Sequence, residues 1–302
     1  MKLTILGCFS ASPRKNSFPT SQVLDIKGNK VLIDCGEGTQ IQLRRYGFKL
    51  SAIENIFISH LHGDHFFGLP GLISTFRLLG RTKELNIFGP KGIKEAIELL
   101  MSLGKSWGNF NLNFVELEEK KPVKLIDNDS FSVSTIPLKH RIYTNGFLFK
   151  EKNTKKRIKI QEIEKLDIDK ALYNNISKGK DVLLDDGTKI SNKDLTYPLE
   201  KDIVYSYCSD TAYSNEIIRS VEGSDLLYHE STFLEKHIEL AKKTKHSTAI
   251  QAAKVAKEAN CKRLLLGHFS SRYKNLYDFK LEAETIFENV QLAEEGKVFD
   301  IL

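Results

Sequence analysis

The feature that most constrains this chain is Ser59-His60-Leu61-His62-Gly63-Asp64-His65, which directly follows the apolar run Ile56–Ile58. Three imidazoles and a carboxylate this close together form a metal site by composition, because histidine nitrogen and aspartate oxygen are the usual donors of open catalytic zinc sites. In a turn leaving a strand, His60 and His62 point one way, toward a first metal. Asp64 and His65 fall on the next turn, facing a second. A lone histidine is more often a satisfied core or surface residue than a ligand, but four donors in H-x-H-x-D-H order are very rarely a coincidence.

Two metals need more than four protein donors, and the chain supplies candidates. His140 ends the strand-like Ile136–Leu138, Asp210 follows Ile203–Cys208, and His268 follows the apolar Leu264–Gly267. Each one closes a strand, which is where α/β folds gather active-site groups on one rim. Of the eight histidines, seven (His60, His62, His65, His140, His229, His246, His268) lie in such strand-end or turn motifs. His237, in the helical-looking Leu234–Lys242, reads as an ordinary exposed residue.

The rest of the chain alternates between two periodicities. Lys2–Leu6, Gln22–Ile26, Val31–Asp34, Ile56–Ser59, Ile203–Cys208, Leu226–Tyr228 and Arg263–Leu266 read as strands. Gly68–Leu79, Gly92–Leu103, Thr248–Asn260 and Leu276–Asn289 read as helices. Interleaving of this kind predicts an α/β or α+β layered domain. From about Lys150 to Pro198 the chain turns lysine-rich and weakly periodic, opening with Lys150, Lys152, Lys155, Lys156, Arg157 and Lys159. Insertions of this length are usually functional or have structure of their own, and a basic one suits a phosphate backbone.

Composition narrows the class. A hydrophobic share of 41% and a charged share of 28% are those of a soluble globular protein. No apolar run reaches the roughly 18 residues of a spanning helix. The apolar start of Met1–Pro13 breaks too early for a secretory leader, so it reads as a first strand and the expected location is the cytoplasm. Cys8, Cys35, Cys208 and Cys261 form no CxxC pair, which leaves buried reduced thiols. The net charge of +6 favours a polyanionic partner.

With these residues assembled, the chain resembles the ribonuclease Z family of the metallo-β-lactamase superfamily. H-x-H-x-D-H at His60–His65 is the superfamily's hallmark, and narrower blocks select the family: Asp34-Cys35-Gly36-Glu37-Gly38-Thr39-Gln40, and Gly68-Leu69-Pro70-Gly71-Leu72 after His65. His229-Glu230-Ser231-Thr232-Phe233, His246-Ser247-Thr248 and Gly267-His268-Phe269-Ser270-Ser271-Arg272-Tyr273 match three more, in the family's order over essentially the whole chain. The resemblance implies a four-layer αββα sandwich, a single domain over 1–302 with an inserted protruding arm at 150–198. It implies two zinc ions (Zn2+) per subunit: His60, His62 and His140 on one, Asp64, His65 and His268 on the other, with Asp210 bridging both. It makes Asp64 the proton acceptor that orients the attacking water, and His246 the proton donor to the leaving oxygen, with an acidic neighbour to position it. The implied substrate is precursor tRNA, cut to leave a 3′-hydroxyl on the tRNA and a 5′-phosphate on the trailer. The implied assembly is a homodimer in which the arm of one subunit serves the other's site.

Two blocks depart from the family's pattern. Leu6-Gly7-Cys8-Phe9-Ser10-Ala11-Ser12-Pro13 replaces a glycine-rich L-G-T-G-x-x-x-P, and the arm has Lys170-Ala171-Leu172-Tyr173 where a Gly-Pro pair is common. Neither departure removes a metal donor. The nearest rival reading is another hydrolase on the same fold, acting on a small phosphodiester, a sulfate ester or a thioester. It shares the metal motif, so the arm and the Asp34–Gln40 block are what separate the two. A non-catalytic RNA-binding or metal-storing relative is disfavoured because every expected donor is present.

Overall fold

The computed structural model describes residues 1–11, 15–105 and 110–302; Ser12 and Pro13 of the divergent amino-terminal block lie outside the described residues. In chain order the strands are β1 (Lys2–Gly7), β2 (Ser21–Ile26), β3 (Asn29–Cys35), β4 (Ile53–Phe57), β5 (Leu85–Pro90), β6 (Leu112–Leu117), β7 (Lys124–Asp127), β8 (Phe131–Pro137), β9 (Asn145–Glu151), β10 (Val182–Leu183), β11 (Lys189–Ile190), β12 (Ile203–Cys208), β13 (Leu226–Glu230), β14 (Leu264–Gly267), β15 (Val290–Leu292) and β16 (Val298–Asp300). One seven-stranded sheet has the order β16-β1-β2-β3-β4-β5-β6 and the other β15-β14-β13-β12-β9-β8-β7. Each sheet is antiparallel on one side and parallel on the other: β3 to β6 run parallel in the first, β12 to β15 in the second.

Alternation along the strands decides the layering. Leu24, Ile26, Val31 and Ile33 of the first sheet share one core with Val133, Phe147, Phe149 and Tyr205 of the second. Val23, Leu32, Ile56 and Ile87 point the other way and are covered by Leu43, Leu72, Phe76 and Ile97 from the helices Thr39–Arg45, Leu69–Leu78 and Ile93–Leu103. The outer face of the second sheet is covered by helices Asn215–Ser220, Ala249–Glu258 and Tyr277–Glu284, through Ile217, Ala252, Val255 and Phe279. The result is the αββα sandwich, helices outside and two sheets face to face, as period-2 burial requires. The small-residue helix Ala249–Glu258 packs closely, and its start is fixed by a capping box between Thr248 and Gln251.

Strand β4 ends earlier than the apolar run does. Its last residue is Phe57, not Ser59, because the buried carboxylate of Asp34 takes the Ser59 amide at 2.7 Å and draws the chain out of the sheet. Two glycines let the motifs around it nest: a Cβ on Gly36 would strike the backbone oxygen of Asp64, and one on Gly68 would strike that of Gly36. This close approach seats the Asp34–Gln40 turn against the short helix Gly63–Phe66. The two sheets are tied to each other near the same rim, where the Asn145 amide donates to Ser59 O at 3.0 Å and the Tyr205 hydroxyl to Gln22 Oε1 at 2.6 Å.

The lysine-rich segment is more ordered than its weak periodicity implies. It contains helices Ile160–Lys165, Tyr173–Ser177 and Asn192–Leu195 and the β10–β11 hairpin. Ile163, Ile168, Ile176, Val182 and Leu195 form a small apolar cluster of their own. These residues come from short elements of mixed type, so no single period exposes them in the sequence. Among the described residues no helix is long and apolar enough to cross a membrane.

Candidate active site

The seven residues read from sequence as metal donors meet at one end of the sandwich, where β3, β4, β12, β13 and β14 terminate. Asp210 lies at the centre. Its Oδ2 stands 3.4 Å from His60 Nε2 and 3.7 Å from His140 Nε2. Its Oδ1 stands 3.4 Å from His65 Nε2 and 3.1 Å from His268 Nε2. His62 completes the first group, its Nδ1 3.0 Å from His60 Nε2 and 3.3 Å from His140 Nε2. Asp64 completes the second, its Oδ2 3.5 Å from His65 Nε2 and 3.4 Å from His268 Nε2.

The outer nitrogen of each ring settles what the inner one offers. His65 Nδ1 donates to Asp34 Oδ2 at 2.7 Å, and His140 Nδ1 donates to Lys245 O at 2.8 Å. Ser59 Oγ gives its proton to Asp34 Oδ2 at 2.8 Å, so it accepts from His60 Nδ1 at 3.0 Å. Thr232 Oγ1 likewise gives its proton to Glu230 Oε2 at 2.7 Å and accepts from His268 Nδ1 at 2.8 Å. In its neutral form each of these four rings therefore turns a bare Nε2 inward, the tautomer a metal requires, with outer hydrogen bonds of the kind that orient ligating histidines.

This donor set fits metal ions. Donors about 2.0–2.2 Å from one tetrahedral ion stand roughly 3.4 Å apart, and the inward atoms here are separated by 3.0 to 3.7 Å. All donor atoms within each group lie within 4.8 Å of one another. Burial, with the charge of His65, lowers His60; burial takes His62 and His140 down to about 4, so these rings are neutral near pH 7. Asp64 and Asp210 are held well below the ordinary carboxylate range by the surrounding histidines, against the pull of burial. His65 is pushed up despite its burial by Asp210, Asp64 and Asp34. A cation is what this half of the site demands.

His246 is set apart from the seven. Its Nδ1 contacts Glu230 Oε1 at 2.8 Å, and it is 3.9 Å from Asp210 Oδ2. Burial opposes its charge, but Glu230 and Asp210 prevail and raise it to about 9. Although His246 also groups with Asp210 and His268, the Glu230 carboxylate already occupies its nearest nitrogen. The cleft that His246, Asp64 and His268 line has a volume of about 500 Å³, with Arg141, Phe233 and Arg272 in its walls.

Several functional contacts were not foreseen. Asp34, fully buried, accepts from the Ser59 amide, Ser59 Oγ, His65 Nδ1 and, at 2.5 Å, the Tyr207 hydroxyl. The Ala11 amide donates to Asp64 Oδ2 at 2.7 Å, which brings the divergent amino-terminal block into the site. The acidic neighbour expected for His246 is Glu230, whose Oε2 also accepts from the Thr232 amide at 2.9 Å. Two histidines behave differently from a simple motif count. His229 points away, donating from Nδ1 to Glu230 O at 2.7 Å inside the core. His237 is not an exposed residue: it is half-buried and its Nδ1 meets the Tyr273 hydroxyl at 2.6 Å, because the 3-10 turn Glu235–His237 tucks it against Tyr273. Asp34 stood inside a recognisable block; only the fold reveals what its carboxylate holds.

Fold and site together define a metallo-β-lactamase-fold hydrolase. The structure superimposes on the metallo-β-lactamase fold protein YhfI from Bacillus subtilis with a TM-score of 0.71 at 19% identity, covering 99% of this chain and 98% of that one. It matches human tRNase Z, short form, with a TM-score of 0.72 at 29% identity over 100% of both chains. Ribonuclease Z from Bacteroides thetaiotaomicron is 45% identical over 300 residues, 99% of this chain and 95% of that protein. The family model described as Anti-Pycsar protein Apyc1 matches residues 1–298. The chain belongs both to the family that this model describes and to the ribonuclease Z family of its curated relatives.

Proposed function

We propose that the chain is a zinc-dependent endoribonuclease that removes 3′ trailers from precursor tRNA, leaving a 3′-hydroxyl on the tRNA and a 5′-phosphate on the trailer. The observation that carries this reading is the division of Asp210 between two donor groups, one carboxylate oxygen facing each. His60, His62 and His140 would hold one zinc, Asp64, His65 and His268 the other, and Asp210 both. Such a pair supplies Lewis acidity toward phosphoryl oxygens and lowers the pKa of a water. Asp64, pinned by the Ala11 amide, orients that water and accepts its proton. His246, held cationic by Glu230, donates to the leaving ribose oxygen. The domain over 1–302 carries the arm at 150–198 as the grip on the tRNA body, through lysines that bind backbone without reading sequence. Recognition then rests on shape.

The names of the curated relatives and of the human structure support the substrate. We propose a cytoplasmic location and a homodimer, the latter supported by the exposed Ile41 and Leu78 on two helices that touch and by the exposed Leu79 directly after the second. The test is incubation of the purified protein with a tRNA carrying a 3′ trailer, with and without chelator, followed by mapping of both product ends. Chelator-sensitive release of an intact trailer bearing a 5′-phosphate is expected. Hydrolysis confined to small diesters sinks the tRNA reading.

A further inference from the structure

Two arginines in the cleft wall have no part in the chemistry just described. Arg141 directly follows His140 of one donor group; Arg272 lies four residues past His268 of the other. Both line the cleft. Among the described residues neither forms an ion pair with a carboxylate, whereas the nearby Lys139 pairs with Glu216 at 3.3 Å. Arg141 stands close enough to His62 and His246 for its charge to act against a proton on either ring. Arg272 is braced, its Nε donating to Ser270 Oγ at 3.2 Å and its guanidinium lying 5.2 Å from the Phe233 ring centre. That bracing uses Nε and leaves the two terminal nitrogens without a hydrogen bond among the described residues, in the planar fork that matches phosphate oxygens.

A nucleic acid strand brings one negative charge per linkage, so a strand crossing the cleft presents a phosphate on each side of the one being cut. The two donor groups serve the linkage being cut, so each neighbouring phosphate calls for a fixed cation of its own. Resting on the endonuclease reading above, we propose that Arg141 and Arg272 form a two-ended clamp, each gripping a phosphate that flanks the scissile one, on opposite sides. The site thereby selects a continuous polyphosphodiester strand over an isolated diester.

The test uses the full-length protein and short single-stranded trailer substrates in which one flanking phosphate at a time is replaced by a neutral methylphosphonate. Binding is read by fluorescence anisotropy, cleavage by KM and kcat. On the fully charged strand, Arg141→Ala and Arg272→Ala should each weaken binding about ten- to hundredfold, the range of a hydrogen bond to a charged group, and raise KM more than they lower kcat. Each penalty should vanish on the strand lacking its own phosphate, and the two arginines should map to different positions. Arg141→Lys should recover part of the loss. Penalties that add at every position, or both variants mapping to one phosphate, overturn the clamp while trailer cleavage by the unaltered protein stands. An unaltered protein that cuts a tRNA carrying the same trailer but does not bind the short strand overturns the clamp alone; one that hydrolyses bis(p-nitrophenyl) phosphate but cuts neither the tRNA nor the strand removes the nuclease reading and the clamp with it.

Discussion

The metal rim and the lysine-rich segment are the two polar regions of this molecule, and they are built on opposite rules. At the rim the charged groups are buried and each is committed to named partners: Asp34, Asp210 and Glu230 are at most 2% exposed. In the segment 150–198 the apolar cluster is small and the cations lie outside it, with Lys155 exposed and Lys156 tied inward, to Asn192 Oδ1 at 2.9 Å. Buried polar networks fail as units when one member is lost, whereas exposed charges add nearly independent, salt-screened increments. The first region therefore suits chemistry, the second affinity. Substitutions should divide accordingly.

The largest effect is expected at the rim. Asp64→Ala should abolish trailer cleavage while leaving tRNA affinity within a few-fold, measured by end-mapped cleavage beside a filter-binding titration. Parallel loss of both would contradict the separation of chemistry from grip. Next comes removal of Lys152–Tyr197 with a short linker. The apolar cluster of this segment is its own, so the sandwich should stay folded by circular dichroism and keep its metal. Cleavage of tRNA should fall by orders of magnitude while small diesters are still hydrolysed. Undiminished tRNA cleavage after the deletion would show that the rim alone does the binding.

The same contrast explains what could be read in advance. The donors were legible because metal chemistry restricts residue type and spacing: His60, His62, Asp64 and His65 sit in one turn, and His140, Asp210 and His268 each close a strand. The strands were legible where the apolar run is nearly continuous, as in β2, β3 and β12, which are buried over most of their length. The edge strands β6 and β7 are largely half-buried or exposed and show weaker patterning. The holders of the donors were not legible, because Asp34 reaches His65 and Tyr207 across 31 and 173 positions and no local spacing encodes such contacts. The same holds for the cluster Ile163, Ile168, Ile176, Val182 and Leu195, assembled from three short helices, a connecting loop and a hairpin.

Asp34 sharpens the comparison, since it touches no substrate. Removing an outer partner of a ligating histidine typically costs 10–100-fold in metal affinity or activity. Asp34→Asn keeps shape but weakens the acceptor for His65 Nδ1, Ser59 Oγ and Tyr207. We expect a loss of about that size, with part of it recovered at high zinc concentration; metal content measured by mass spectrometry should fall in parallel. A loss with full metal content would assign Asp34 to fold stability instead. Glu230→Gln should act through pH. A proton donor works only while protonated, so activity that depends on His246 is present below its pKa and fades as pH rises through it. With Glu230 that pKa is raised to about 9; without the carboxylate, burial prevails and the alkaline limb of kcat/KM should move to lower pH. An unmoved limb would deny His246 the donor role.

The smallest effect separates two adjacent lysines of the arm. Lys155 is exposed, so Lys155→Ala should remove one phosphate contact and nothing else. The log–log salt dependence of tRNA binding should flatten by about 0.9, while kcat and the melting temperature stay unchanged. Lys156 is half-buried and fastened to Asn192, whose side chain also donates to Ile176 O at 2.6 Å and Lys180 O at 3.0 Å. Lys156→Ala should therefore loosen the packing around Asn192, exposing amides of Tyr173–Ser177 to hydrogen exchange without changing the exchange of β12 to β14. Its salt slope should change less than that of Lys155→Ala, because its charge is already turned inward. If the two variants instead behave alike, flattening the slope equally and leaving exchange untouched, the arm has no committed polar contacts. The distinction between its surface and its core then reduces to hydrophobic burial alone.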